Sequence, residues 1–201
     1  MDRLQLLDDA DALVKMNLIK EDTFRDLLNY YVNENHEAVL IRLVTALETV
    51  KSLKTSEGGP PPAAKAVFKV FEDQGFSVPG CELPLLQISR QVVLKSLVMQ
   101  NNQQVIEAAI KAFEEAGGNV ALFLRESVYT AVALQGSSKQ VEQLMSKLSA
   151  TKSHEEKVRL ANALSLSTDK AVLERLRTWL TSSNLKPDIK EPLVRVIDAK
   201  L

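Results

Sequence analysis

An all-α fold of stacked antiparallel helix pairs is predicted for this 201-residue chain by three observations. Apolar residues recur at helical spacing through almost its whole length. All seven glycines fall at the ends of those periodic stretches and none inside them. Aromatic residues make up 5% of the chain against 45% hydrophobic in all, so the core must be built from Leu, Val, Ile and Ala, which suits packed helices better than a β-sandwich.

Residues 2–16 place Leu4, Leu7, Ala10, Leu13 and Val14 on one face, with Asp8, Asp9 and Asp11 away from it, and Asn17 as the stop. A second helix is expected from Glu21 to Tyr31 with Phe24, Leu27, Leu28 and Tyr31 inward, broken by Asn33-Glu34-Asn35. The third, from His36 to Leu53, carries Leu40, Leu43, Val44, Leu47 and Val50. These form a three-helix start over 1–53, followed at 54–62 by a Gly/Pro loop, KTSEGGPPP.

The remainder, 63–201, reads as a stack of helix pairs. Pro62 suits the first turn of a helix running to Gln74, because its missing N–H would be unpaired there in any case. Pro84 opens a long helix whose apolar side is Leu85, Ile88, Val92, Val93 and Leu97. The next runs from Gln103 to Ala116, with Val105, Ile106, Ala109, Ile110 and Phe113, and ends at Gly117-Gly118. A helix from Ala121 to Leu134 ends at Gly136, and Ser137-Ser138 can cap its successor, with stripe Val141, Leu144, Met145 and Leu148.

Ser153 followed by Glu156 has the spacing of a capping box, and Asp169 or Thr168 caps the helix bearing Val172, Leu173, Leu176, Trp179 and Leu180. Pro187 and Pro192 crowd the start of a last helix near 191. Pairs therefore begin near residues 84, 121, 154 and 191, a recurrence of about 33 to 37 residues. Neither the tetratricopeptide nor the ankyrin signature repeats, so a HEAT-like α-α superhelix is the expected architecture. Residues 1–201 are read as one helical-repeat domain. Asp2 opens straight into a helix and Leu201 lacks a cap, so both ends are expected to be cuts in a longer polypeptide.

With 25 basic and 26 acidic residues the chain has no field that would argue for nucleic acid or an anionic membrane. No apolar run reaches the ~20 residues needed to span a bilayer. Cys81 is the single cysteine and cannot form an internal disulfide. The only histidines, His36 and His154, are each followed by glutamate, but Leu40 and Val158 stand four residues on, so neither makes the HExxH pair that would bind zinc from one helix face.

Asp8 and Asp9 point about 100° apart and cannot share one proton or one metal. Gly58-Gly59 precedes prolines and Gly117-Gly118 follows a helix, so neither cradles a phosphate. Lys157, Arg159, Lys170, Arg175 and Arg177 could form a basic patch for an anionic peptide end. Glu155 and Glu174, however, stand at pairing distance from Arg159 and Arg177, which favours a neutralised solvated face. No catalytic, cofactor-binding or metal residue is assigned.

The stretch DRLQLLDDADALV from Asp2 resembles the opening of the C-terminal helical domain of gluzincin zinc aminopeptidases, the family of aminopeptidase N and the puromycin-sensitive and endoplasmic-reticulum aminopeptidases. Two further segments are similar to it in the same order: the long helix, polar turn and helix from Ile88, and the run from Leu124 with its Arg125, Val128-Tyr129, Glu156-Lys157-x-Arg159-Leu160 and Ala-Leu pattern. The resemblance implies a domain that encloses the active site and limits which peptides reach it. It also implies zinc and the HExxH and Gly-x-Met-x-Asn motifs in a catalytic domain of the same parent chain, and none of these occurs here. Its implied partners are that catalytic domain and a peptide substrate. Asn33-Glu34 leans toward the puromycin-sensitive branch, and with it a cytoplasmic location. A free-standing helical-repeat adaptor is the alternative.

Overall fold

A computed structural model describes residues 2–50, 62–77 and 83–201. Cys81 and most of the 54–62 loop lie outside the described residues. The fold is all-α. Among the described residues eleven α-helices and two 3-10 turns account for the regular structure, without a strand. They are α1 Arg3–Lys15, α2 Glu21–Asn29, α3 Glu37–Thr49, α4 Lys65–Gln74, α5 Pro84–Met99, α6 Gln103–Glu115, α7 Arg125–Gln135, α8 Ser138–Ala150, α9 His154–Leu164, α10 Lys170–Ser182 and α11 Pro187–Asp198. Pro62–Ala64 and Leu122–Leu124 are the 3-10 turns that lead into α4 and α7.

Two compact units divide the chain, Met1–Val105 and Ile106–Leu201. In the first, α3 packs against α1, α2, α4 and α5. In the second, α9 packs against α7, α8, α10 and α11. Each unit is thus a set of successive helices around a middle one, touching next and next-but-one in sequence. That follows from short connections, which leave each helix only its near neighbours in which to bury its stripe. Leu40, Leu43, Val44 and Leu47 of α3 and Leu160, Ala161, Ala163 and Leu164 of α9 are accordingly buried.

The helix ends are set by local chemistry. Asp2, Ser137, Ser153 and Asp169 accept hydrogen bonds at the starts of α1, α8, α9 and α10, and at α8 Gln140 reciprocates to complete a capping box. Three helices end in one device, in which an N–H reaches back five residues: Leu18 to Leu13, Asn102 to Leu97 and Gly118 to Phe113, at 2.8, 3.0 and 2.9 Å. The residue before that N–H needs positive φ, and Asn17, Asn101 and Gly117 supply it at 56, 62 and 55°.

Five expectations are corrected. Asp11, expected away from the apolar stripe, is buried. The buried side of α5 is Ser89, Arg90, Val93, Leu94, Leu97 and Val98, while Leu85 and Ile88 are exposed. An apolar period alone cannot say which of two apolar faces turns inward. Trp179 is half-buried at the edge of the core. The last helix begins at Pro187, with Pro192 inside it. Pro187 occupies the first turn, where a missing N–H is tolerated, and one internal proline is carried by packing of Leu193 and Ile197. Ser153 caps α9, but Glu156 turns away from the cap into the core, as described next. No helix of the described residues is long and apolar enough to cross a membrane.

Candidate functional site

The residues singled out by sequence do not gather into one site. His36 precedes α3 and His154 opens α9, both exposed and in different units. Among the described residues no group of three or more His, Cys, Asp or Glu is placed to hold a metal ion, so these side chains do not fit a zinc site. Asp8 and Asp11 of α1 both bind Arg42 of α3, Asp11 at 2.6 Å, and Lys15 adds a contact to Asp11 at 2.7 Å. Burial pushes the Asp11 carboxyl up, but the bonds from Arg42 and Lys15 outweigh it and hold it below its ordinary value. Asp9 is exposed.

The arginines of α9 and α10 are paired, though with other partners than the helix spacing suggested. Arg175 grips Glu142 of α8 with two nitrogens at 2.6 and 3.1 Å, Arg177 pairs with Asp198 of α11 at 2.6 Å, and Arg159 binds Glu156. Lys170 donates to the Leu201 carbonyl at 3.0 Å. Arg175 and Arg177 pair with neighbouring helices because these faces meet at helix junctions, while Arg159 pairs along α9 itself.

The most concentrated polar structure is built on Glu156. Its carboxylate accepts the Tyr129 hydroxyl of α7 at 2.9 Å, pairs with Arg125 at the start of α7 at 3.2 Å, and binds Arg159 one turn along α9. Arg125 is braced by its Nε donating to the Val120 carbonyl at 3.0 Å. Tyr129 is fully buried, and Phe113 of α6 meets it edge-on with ring centroids 6.4 Å apart. Lys147 of α8 donates to the Gly118 carbonyl at 2.8 Å and to Asn119 at 3.2 Å.

Electrostatics follow from this geometry. Burial would raise the Glu156 carboxyl, but the Tyr129 hydroxyl and the two guanidiniums reverse this and leave it below the ordinary carboxylate value. Tyr129 is pushed up, first by burial and then by bonding to that carboxylate, so its proton stays on. Burial, then the nearby Arg125, lowers Lys147. A charged acceptor fixed by three donors, with a phenol held in its protonated form, ties α7 to α9.

Among the clefts of the second unit, two lie beside charged side chains. One, of about 220 Å³, lies between Gly136, Ser138 and Glu142 on one side and Ser167, Asp169 and Arg175 on the other. A larger one, of about 450 Å³, lies over Gly117 and Gly118 beside Lys139, Gln143, Ser146 and Lys147. Neither is lined by a histidine or cysteine, so neither presents a serine with an adjacent imidazole base.

A family model described as the ERAP1-like C-terminal domain matches residues 1–197. The chain belongs to this family. This ERAP1-like domain is also similar to the alanine/arginine aminopeptidase of Saccharomyces cerevisiae (strain ATCC 204508 / S288c), with 24% identity over 191 residues, covering 89% of this chain and 22% of that protein. The chain thus spans about a fifth of the length of that relative.

Within the ERAP1-like domain, the residues that carry the resemblance in the second unit have a physical role. Arg125, Tyr129, Glu156 and Arg159 are the members of the buried cluster. Sequence reasoning missed the cluster because Glu156 stands at the third position after Ser153, where a glutamate ordinarily caps. The signal that could have found it was Tyr129: a tyrosine within an apolar run needs a partner for its hydroxyl.

Proposed function

We propose that this ERAP1-like domain is the non-catalytic C-terminal domain of a zinc aminopeptidase, and that it encloses the active site and limits which peptides enter. The observation that carries the reading is the family match over residues 1–197, spanning both compact units, in a chain that aligns with only 22% of an aminopeptidase. Both units are accordingly assigned to one domain. Zinc and the groups that activate water belong, on this reading, to the catalytic part of the parent polypeptide, and no step of the reaction is assigned to residues of this chain.

The contribution of the chain is steric and electrostatic. Packed helices give walls that do not deform easily, and helix junctions pinned by Glu156 and by Arg42 hold those walls in register. A peptide is admitted or refused by shape, in keeping with a net charge of only -1.

Two measurements test this. The purified chain, assayed on aminoacyl amides with and without added zinc, is expected to release no N-terminal residues, and chelator-sensitive release would overturn the reading. In the parent polypeptide, removal of residues 1–201 is expected to raise the rate on long peptides relative to that on a single aminoacyl amide, and an unchanged ratio would remove the enclosing role.

A further inference from the structure

Helix α5 has two apolar faces. One packs against α3 and α4 and buries Val93, Leu94, Leu97 and Val98. The other carries Leu85, Ile88, Val92 and Met99, whose spacing at ~100° per residue places them within about 60° of one another around the helix axis, with the half-buried Lys95 beside them on the same side. Leu85, Ile88 and Met99 are 43, 50 and 46% exposed, and Val92 is half-buried. Leu83, just before the helix, is 72% exposed.

Exposed apolar residues scattered singly need no explanation, but an aligned row on a helix without a single acidic residue does. The outer faces of α10 and α11 show the contrast, with Glu174, Arg175 and Arg177 on one and Asp188, Glu191 and Arg195 on the other, all exposed. Apart from Lys95, that outer side of α5 carries aliphatic side chains where a helix facing water ordinarily carries charged ones.

We propose that this second face of α5 is a docking surface, and that its occupant is an apolar surface of the catalytic part of the same polypeptide. The proposal rests on the reading of the chain as an aminopeptidase domain. The family is by its description a C-terminal domain, and the aligned relative is far longer than this chain, which covers 22% of it. The nearest supply of apolar surface is therefore the remainder of the parent chain. Size points the same way. Four or five partly exposed aliphatic side chains fall well short of the ~800 Å² per partner that a free-standing interface needs. A tethered partner needs far less, because the linkage itself supplies an effective concentration on the order of millimolar.

The test places a photoreactive phenylalanine analogue at position 88 of the full-length polypeptide, with a control at the exposed Thr178, and maps the cross-linked peptides by mass. The expected result is a cross-link from position 88 to a segment preceding residue 1. A cross-link to a second copy, one confined to residues 1–201, or none above the control overturns the proposal. As a second readout, Ile88→Lys is expected to speed protease cleavage ahead of residue 1 about fivefold while Ile88→Leu leaves it unchanged, since ~1 kcal/mol of lost docking is a factor of about 5 in the open population. Equal rates for the two variants overturn it. Aminopeptidase activity of the same preparation separates the two ideas: a cross-link without activity removes the enclosing role and keeps the docking face, and activity without a cross-link removes the docking face alone.

Discussion

Glu156 is the residue on which the second unit is most sharply dependent, because three donors converge on one buried carboxylate. Replacing Tyr129 by Phe removes one of them and leaves an acceptor less satisfied. It is expected to cost about 1.5–3 kcal/mol, or several degrees in melting temperature at roughly 2–4 °C per kcal/mol for a chain of this size. Glu156→Ala is expected to cost more, about 3 kcal/mol, since it strands Arg125 and Arg159 as well as the phenol.

The same carboxylate gives a pH signature. Its value in the folded protein lies below the ordinary 4.5, so its contribution is fully present above about pH 4.5 and is lost as the pH falls through the lower, folded value. The stability difference between the wild type and Glu156→Gln, measured by urea unfolding, should therefore be constant from neutral pH to about 5 and shrink on further acidification. A difference that grew with acidification would show that the carboxylate is not charged in the native state. At Asn101, with φ at 62°, Asn101→Val is expected to cost about 1–2 kcal/mol and Asn101→Gly to be near neutral.

At the scale of elements, the junctions between helices decide stability more than the helices do. Gly136 closes α7 with an ordinary φ of -67°, yet an added Cβ would stand 2.5 Å from the Val132 carbonyl oxygen, which is backbone and cannot rotate aside. Gly136→Ala is expected to destabilise by about 1–3 kcal/mol, in contrast to the usual gain from Gly→Ala at a compatible site. Thermal unfolding of that variant decides the matter. The chain's helix termini were largely legible beforehand, because Asp2, Ser137, Ser153 and Asp169 are caps by chemistry and Asn17 and Gly117 are stops by backbone freedom. What could not be read was the direction a helix turns when both its sides are apolar, as in α5, or when a polar residue is drawn inward by a distant partner, as Asp11 is by Arg42 and Glu156 by Tyr129. Those partners lie about 27 to 31 residues apart, beyond the reach of any local period.

At the scale of the whole molecule, the all-α fold followed from helical apolar periodicity and the placing of the glycines, and the family from the order of three similar segments, with a family match over residues 1–197. No candidate site residue was expected from the sequence, and Arg125, Tyr129, Glu156 and Arg159 tie α7 to α9. On the proposed reading, function at this scale is that of a longer aminopeptidase. The prediction proper to it is a change in peptide-length selectivity, read as a ratio of rates, when the exposed row Leu85, Ile88, Val92 and Met99 is made polar. A more loosely docked domain should discriminate less by length while single aminoacyl amides are cleaved as before.

The placing of α3 and α9, each in touch with four other helices of its own unit, bears on how the protein comes apart. A helix at the margin, such as α11, can unravel and re-form without disturbing α7 or α8, whereas loss of α9 takes from α7 and α8 their main packing partner and separates them from α10 and α11. Amide hydrogens should therefore exchange in a graded order, with α11 releasing its protons early and α3 and α9 only on complete unfolding. If the domain encloses an active site as proposed, local breathing of α11 would loosen its margin for a passing peptide while α9 stays shut.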